Sequence, residues 1–454
     1  MPEPVFRAGA ATSNISPALG VSINGGMSDR TADNIHDELH ARCLVLDDGA
    51  TKLAIVVCDL CMAPRSILDA AKHLAHGHTG IAPDQMLISC THTHSAPTTA
   101  PVFQSEPDEA YCRFLTVRIA DGIRRAAHNL APATIGWGVG SEPAQVFNRR
   151  WKMKEGVALV DPFGRTDRVR MNPPRASAEL VEPAGPTDPQ VGVLSVRRAD
   201  GRPLALLANY SLHYVGGTGG GDISADYYGA FAEAVTQLLP AEGQDPPFVA
   251  MMSNGTSGNI NNINFREAGA SQPPYAQIRI VADALAREAV RVAGGIEHRD
   301  QVTLAMREAR LRLARRATPK DEVARAKFVL SQSEGAVLSR VEEIYARETV
   351  LLNEYPPYVE TIVQALRIGA LGIATSPCET FVETGLAIKE QSPLQPTFTI
   401  ELANDYCGYL PTAEHHELGG YETWRARSSF LEVGAEAKIR AQVLDLLSAV
   451  RNKE

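Results

Sequence analysis

The sequence predicts an α/β fold built on a central, largely buried sheet. Two observations carry that expectation. Short apolar runs alternate with amphipathic helical stretches along most of the chain. In addition, 454 residues with 44% hydrophobic and 21% charged content are enough to bury a sizeable core.

The elements follow in order. Residues 53–58 (LAIVVC) are apolar and β-branched, as a buried strand requires. Residues 66–75 predict a helix, 85–90 (QMLISC) a strand, and 108–129 a long amphipathic helix. A strand at 204–212 precedes a helix at 226–239. A strand at 248–253 (FVAMMS) precedes a helix at 277–293. Residues 302–314 alternate apolar and charged side chains, the pattern of a half-exposed strand. Charged helical stretches follow at 319–332 and 339–353. Residues 359–375 hold two apolar runs split at Gly369, 397–402 predict a strand, and 433–449 a closing helix. Residues 155–189 are rich in proline and glycine and read as an irregular loop inserted into one domain spanning 1–454.

Composition excludes several classes of function. A formal net charge of -9, without basic blocks, fits neither a nucleic-acid partner nor an anionic membrane surface. No apolar stretch is long enough for a transmembrane helix, so stable membrane insertion is not expected. The first residues lack a basic segment followed by an apolar run, and the seven cysteines are scattered. A reducing, cytoplasmic location is the expectation, with a small molecule as partner; oligomeric state is not legible.

The sharpest local signal is Thr91-His92-Thr93-His94-Ser95-Ala96-Pro97, directly after a predicted strand. If the strand continues, His92 and His94 at i and i+2 share a face. Two imidazoles at a strand end suit a metal site or an acid-base pair, and ligands bind at strand ends in α/β sheets. Two hydrogen-bonded loop histidines are the plainer alternative. His213 ends another apolar strand, and alone it reads more plainly as an ordinary loop histidine. Asp222 and Asp226 follow it; Asp226 is placed to cap a helix, and either could orient a ligand histidine.

In Thr375-Ser376-Pro377-Cys378-Glu379 a strand breaks at proline and a helix begins. Glu379 in the first helical turn complements the dipole; its other reading is a carboxylate ligand. The loop from Ser253 to Asn262 is polar and glycine-bearing and could line a site. Ser257 within it misses the G-x-S-x-G elbow, because Asn259 stands where the last glycine belongs. Tyr406, Tyr409 and Tyr421 read by default as packing residues. Cys58 and Cys61 form a lone C-x-x-C without a second pair, and His415-His416 read as a solvated loop.

In order, these segments resemble the neutral, non-lysosomal ceramidase family over most of the chain. The likeness runs through Ile35-His36, Ala41-Arg42, residues 44–49 (LVLDDG) and Val57-Cys58-Asp59. It is sharpest at residues 91–97, which resemble the family's T-H-T-H-S-G-P box with Ala96 in place of glycine. Asn148-Arg149 is similar to N-R-S, Asp226-Tyr227-Tyr228-Gly229 to D-x-x-G, Pro377-Cys378-Glu379 to P-G-E, and Asn404 through Tyr409 to N-x-Y-x-x-Y.

The resemblance implies a single α/β domain with a mixed central sheet flanked by helices. It also implies a zinc site of His92, His213, Glu379 and Tyr409. His94 then lies beside the metal facing the substrate, Tyr421 donates to the oxyanion, and Arg149 is a substrate-side cation. The family's serine in D-x-S-P-N aligns with Asn261, which can donate a hydrogen bond but cannot act as such a nucleophile. The chain is expected to be a short member without the family's C-terminal immunoglobulin-like domain. The expected chemistry is zinc-dependent hydrolysis of an amide-type bond in a small substrate other than ceramide. The competing expectations are hydrolysis of an ester, lactone or glycosidic bond, a serine hydrolase using Ser257, and a non-catalytic binding protein.

Overall fold

The computed structural model describes residues 5–452; the extreme N-terminus read above for a leader begins outside them. Twelve longer strands form two sheets. The larger holds β1 (Arg7–Asn14), β2 (His40–Asp47), β3 (Lys52–Cys58), β4 (Met86–Cys90), β5 (Ala131–Ser141), β6 (Gln190–Arg198), β7 (Pro203–Tyr210) and β8 (Val249–Asn254), in the order β8-β7-β6-β5-β1-β2-β3-β4. Its centre is antiparallel, while the outer pairs β3/β4 and β7/β8 are parallel, so the sheet is mixed. The smaller sheet runs β9 (Leu304–Ala314), β10 (Tyr358–Ile368), β11 (Leu371–Thr375), β12 (Thr397–Ile400), with only β11/β12 parallel.

Side-chain alternation decides the layering. In β2, Cys43 and Val45 face α1 (Arg65–Thr79) and α2 (Glu109–His128), whose Leu68, Ala71, Ile119 and Ile123 fill that interface. Leu44 and Leu46 point the other way and join Leu366, Ile373, Phe398 and Ile400 of the smaller sheet. At the far end of the large sheet, Val193, Leu206 and Ala208 meet α3 (Asp226–Leu238) and α4 (Ala276–Gly294). The outer face of the smaller sheet is covered by the C-terminal helix Ala435–Arg451 through Ile439, Val443 and Leu447. The order is therefore helices, large sheet, small sheet, helix. The large sheet has helices on one face only, and the second sheet covers the other. Both faces are buried, which explains why β3, β4, β7 and β8 read as unbroken apolar runs.

The stretch predicted to be irregular is partly ordered. A strand at Arg150–Met153 pairs with Val169–Met171 and Leu180–Pro183, with loops between them. Among the described residues no helix is long and apolar enough to cross a membrane.

Candidate metal centre

Three parallel strand pairs end at one place. Their last partners are Cys58 with Cys90, Tyr210 with Asn254, and Thr375 with Ile400. The loops leaving those ends carry every residue of the cluster described next, at the carboxyl ends of parallel strands where α/β sheets bind ligands.

The histidines do not reach the cluster by strand alternation, as expected above. β4 stops at Cys90, and His92 takes a left-handed backbone with φ 75°. That turn is held by the His92 N–H donating to Leu60 O at 2.8 Å. His213 likewise lies beyond the end of β7. The phenols of Tyr227 and Tyr228 donate to the Leu212 carbonyl beside it, at 3.0 and 3.3 Å. Glu379 is not in a helical turn either. It sits in a two-residue bridge with Tyr409, and the following helix starts at Val382.

The geometry is compact. His92 Nε2 lies 3.1 Å from His213 Nε2, 3.1 Å from His94 Nε2 and 3.2 Å from Glu379 Oε2. His213 Nε2 is 3.9 Å from the same carboxylate oxygen. His92, His213 and Glu379 are all buried, and one oxygen or nitrogen from each lies within 4.8 Å of the others.

The proton inventory tests whether a metal fits. His92 Nδ1 faces Cys61 O at 2.8 Å and His213 Nδ1 faces Ser257 O at 3.2 Å. A carbonyl can only accept, so each Nδ1 carries the proton and each Nε2 is left with a lone pair. The His94 ring is likewise bonded to the Gly25 backbone. On Glu379, Oε1 accepts from the Tyr406 hydroxyl at 3.0 Å, while buried Oε2 has no hydrogen-bond partner among the described residues. Electron-rich atoms thus face one another where only a cation makes their proximity favourable. The nitrogen and oxygen donor set suits a divalent ion such as zinc.

The electrostatics agree. Burial opposes charge on His92, but the Glu379 carboxylate and Cys61 beside it win, and the imidazole is held well above its usual value. Burial and the neighbouring cations hold His94 and His213 well below theirs. Burial would raise Glu379, yet His92, Tyr409 and Arg149 keep it below the ordinary carboxylate range.

The other predicted residues divide. Tyr409 adjoins Glu379 and receives an Arg149 N–H at 3.1 Å. The Tyr421 ring meets Tyr409 edge-on at 5.8 Å between centroids. Tyr421 also lines a cleft of about 340 Å³ with Met27, Leu159, Val160, Met171 and Trp424. Arg149 is less open than a substrate-side cation should be: it is buried and also binds Glu422 at 2.9 Å and Gly258 O at 2.8 Å. Asn261 makes its bonds elsewhere, donating to Asn172 Oδ1 at 2.7 Å and accepting from Ile263 N at 2.9 Å. Ser257 is fully buried with its hydroxyl on Glu401 at 2.7 Å, so no imidazole activates it and the serine-hydrolase reading falls. Burial pushes the Glu401 carboxyl up to about 8.

Asp226 does not contact a ligand histidine. With φ 53°, its carboxylate takes the N–H groups of Val215, Gly216 and Tyr227 and pins the segment after His213. Asp222 accepts from Gly219 N and Asn34. Cys58 and Cys61 are buried free thiols, with Cys61 Sγ 3.8 Å from His92 Nδ1. His415 is not solvated: it is buried in a short helix and bonded to Glu383 at 2.9 Å. Tyr406, read above as a packing residue, donates its hydroxyl to Glu379 Oε1 at 3.0 Å, and Tyr214, not singled out above, stacks on His94 at 3.6 Å. Neither residue type signals such a role from spacing alone.

No protein-family model matches the chain. Solved structures do match its fold. Neutral ceramidase from Pseudomonas aeruginosa is 20% identical at TM-score 0.74, over 98% of this chain and 74% of that one. A ceramidase complexed with C2 is 18% identical at TM-score 0.73, over 98% and 75%. The chain has the neutral-ceramidase fold.

Proposed function

We propose that this chain is a zinc-dependent hydrolase of an amide-type bond in a small substrate. The observation that carries this reading is the convergence of His92 Nε2, His213 Nε2 and Glu379 Oε2, all buried, at one point. The likeness to neutral ceramidases supports the choice of an amide. In this reading His92, His213, Glu379 and Tyr409 hold the ion. When bound, zinc supplies the Lewis acidity that makes water nucleophilic near neutral pH and polarises a carbonyl.

The remaining steps belong to the chain. His94 is the most open of the three cluster histidines, and its Nε2 faces the cluster 3.1 Å from His92 Nε2, where it can hydrogen-bond a bound water or substrate. Tyr214 stacked on its face fixes the ring plane. Tyr421, whose phenol burial keeps protonated, donates a hydrogen bond to the developing oxyanion. Arg149, tied to Glu422 and Tyr409, keeps a positive charge beside the Tyr409 oxygen. Asn261 would contribute a substrate hydrogen bond only after leaving Asn172.

The test is a mutant series assayed against short N-acyl substrates, esters and lactones. His92→Ala and His213→Ala are expected to lose both bound zinc and turnover. Tyr421→Phe is expected to retain zinc and lose roughly 10²–10³ in kcat. Full turnover by metal-stripped protein would overturn the proposal.

A further inference from the structure

The two supports beneath His213 and Glu379 meet at a single buried carboxylate that the chemistry above does not use. Glu401 directly follows β12 and is fully buried, with its own N–H donating to Asn254 O at 3.1 Å. Its Oε1 accepts from the Ser257 hydroxyl at 2.7 Å. Its Oε2 accepts two backbone N–H groups, from Ser257 at 3.3 Å and from Thr380 at 2.7 Å.

Each partner stands one bond from a candidate ligand. The Ser257 carbonyl takes the Nδ1 proton of His213, which fixes that ring's tautomer and aims Nε2 into the cluster. Thr380 is the next residue after Glu379, within the same two-residue bridge. A further bond, from Gly258 N to Thr380 O at 2.8 Å, runs parallel to the carboxylate. The loop after β8 belongs to the large sheet and the bridge at Glu379 follows the small one. Beside Glu401, the two segments are tied by this backbone bond and by the Val382 N–H donating to Asn259 Oδ1 at 2.9 Å.

We propose that Glu401 is a positioning residue of the metal centre, holding the His213 support and the Glu379 backbone at the spacing an ion requires. The inference rests on the metal-centre reading above. Outer partners of metal ligands commonly change affinity by about 10- to 100-fold when removed.

The test is zinc affinity by chelator competition, together with the visible spectrum of the cobalt(II)-loaded protein. Glu401→Ala removes all three bonds and is expected to weaken zinc binding by about 10- to 100-fold and to alter the cobalt spectrum. Glu401→Gln can keep all three, because its carbonyl accepts both N–H groups and its amide donates to Ser257 Oγ. It is expected to restore affinity to within a few-fold and to return the parental spectrum. A purely packing role would lower the melting temperature of Glu401→Ala and leave affinity and spectrum unchanged, and that result overturns the proposal. If Glu401→Ala does not fold, Ser257→Ala decides, because it removes only the hydroxyl bond; unchanged affinity and spectrum there overturn the proposal equally. Absence of metal binding by the parent protein overturns the metal centre itself. Parental binding with unaffected variants overturns the role of Glu401 alone.

Discussion

His416 is partly buried, and burial together with the guanidiniums of Arg316 and Arg150 holds its imidazole down at about 3. An unfolded chain takes up that proton near 6.5. Between the two values protons prefer the unfolded state, so the contribution is complete above pH 6.5 and is lost as pH falls toward 3. His40 and His298, both lowered chiefly by burial, add the same sign. Asp226, raised by burial to about 6, runs the other way, costing stability as pH climbs from 3.8 to 6. Between pH 7.5 and pH 5 His416 is expected to contribute on the order of 1–2 kcal/mol, largely offset by Asp226, so its share is read by comparing the pH dependence of the urea midpoint in the parent and in a His416 variant. His416→Gln is expected to remove that share; an unchanged slope would show that the imidazole is not held neutral. At this scale the sequence was informative about identity and poor about cause. His92 and His94 stand out as a pair, but they meet His213 through a left-handed turn that no alternation rule contains. Arg149 is visible as a cation, whereas its attachment to buried Glu422 depends on a contact far along the chain.

The segment after β1 shows how a loop can govern a side chain it does not resemble. Gly25 has φ 102°, and a Cβ added there would fall on the His94 ring. Arg30 reaches back to the His94 carbonyl, and the Asn24 N–H bonds Ala96 O at 3.1 Å, so the loop cannot easily retreat. Gly25→Ala is therefore expected to shift His94, lowering kcat at least about tenfold while zinc content stays near parental. Equal kcat in the two proteins would mean that the His94 position is not critical. The same reasoning explains which elements are legible in the sequence. The helix at Glu109–His128 has a cap in Asp108, which accepts from Tyr111 N, and a clear apolar face. The strands Ala131–Ser141 and Gln190–Arg198 escaped notice. The first carries Gly136, Gly138 and Gly140 on one face because side chains there would run into Val292, Ile296 and Glu288 around the end of α4. Close packing thus removed the apolar alternation that marks a strand. The run at 302–314 did read as a strand, since only part of it is covered.

At the scale of the whole molecule, the alternating pattern specifies an α/β protein but not two sheets face to face. Leu44 and Leu366 are equally apolar whether a helix or a sheet covers them, and pairing order depends on contacts far apart in sequence. The proposed ion would bridge both layers, with His92 and His213 following large-sheet strands and Glu379 following a small-sheet strand. A ligand that binds only the folded form stabilises it by about 2.7 kcal/mol at a hundred times its Kd. Parental protein is expected to melt several degrees higher with zinc than after chelation, and His92→Ala to show no such difference. Equal melting curves for loaded and stripped parent would argue against a site that spans the two layers.

The meeting of three strand ends has a further consequence for how the protein can fail. Sliding one layer along the other by a single ångström would leave every helix and ladder intact, yet it would pull Glu379 away from the histidines. If the proposed function holds, loss of activity should therefore precede loss of secondary structure on gentle heating, with the candidate metal centre acting as the molecule's finest measure of alignment between its layers.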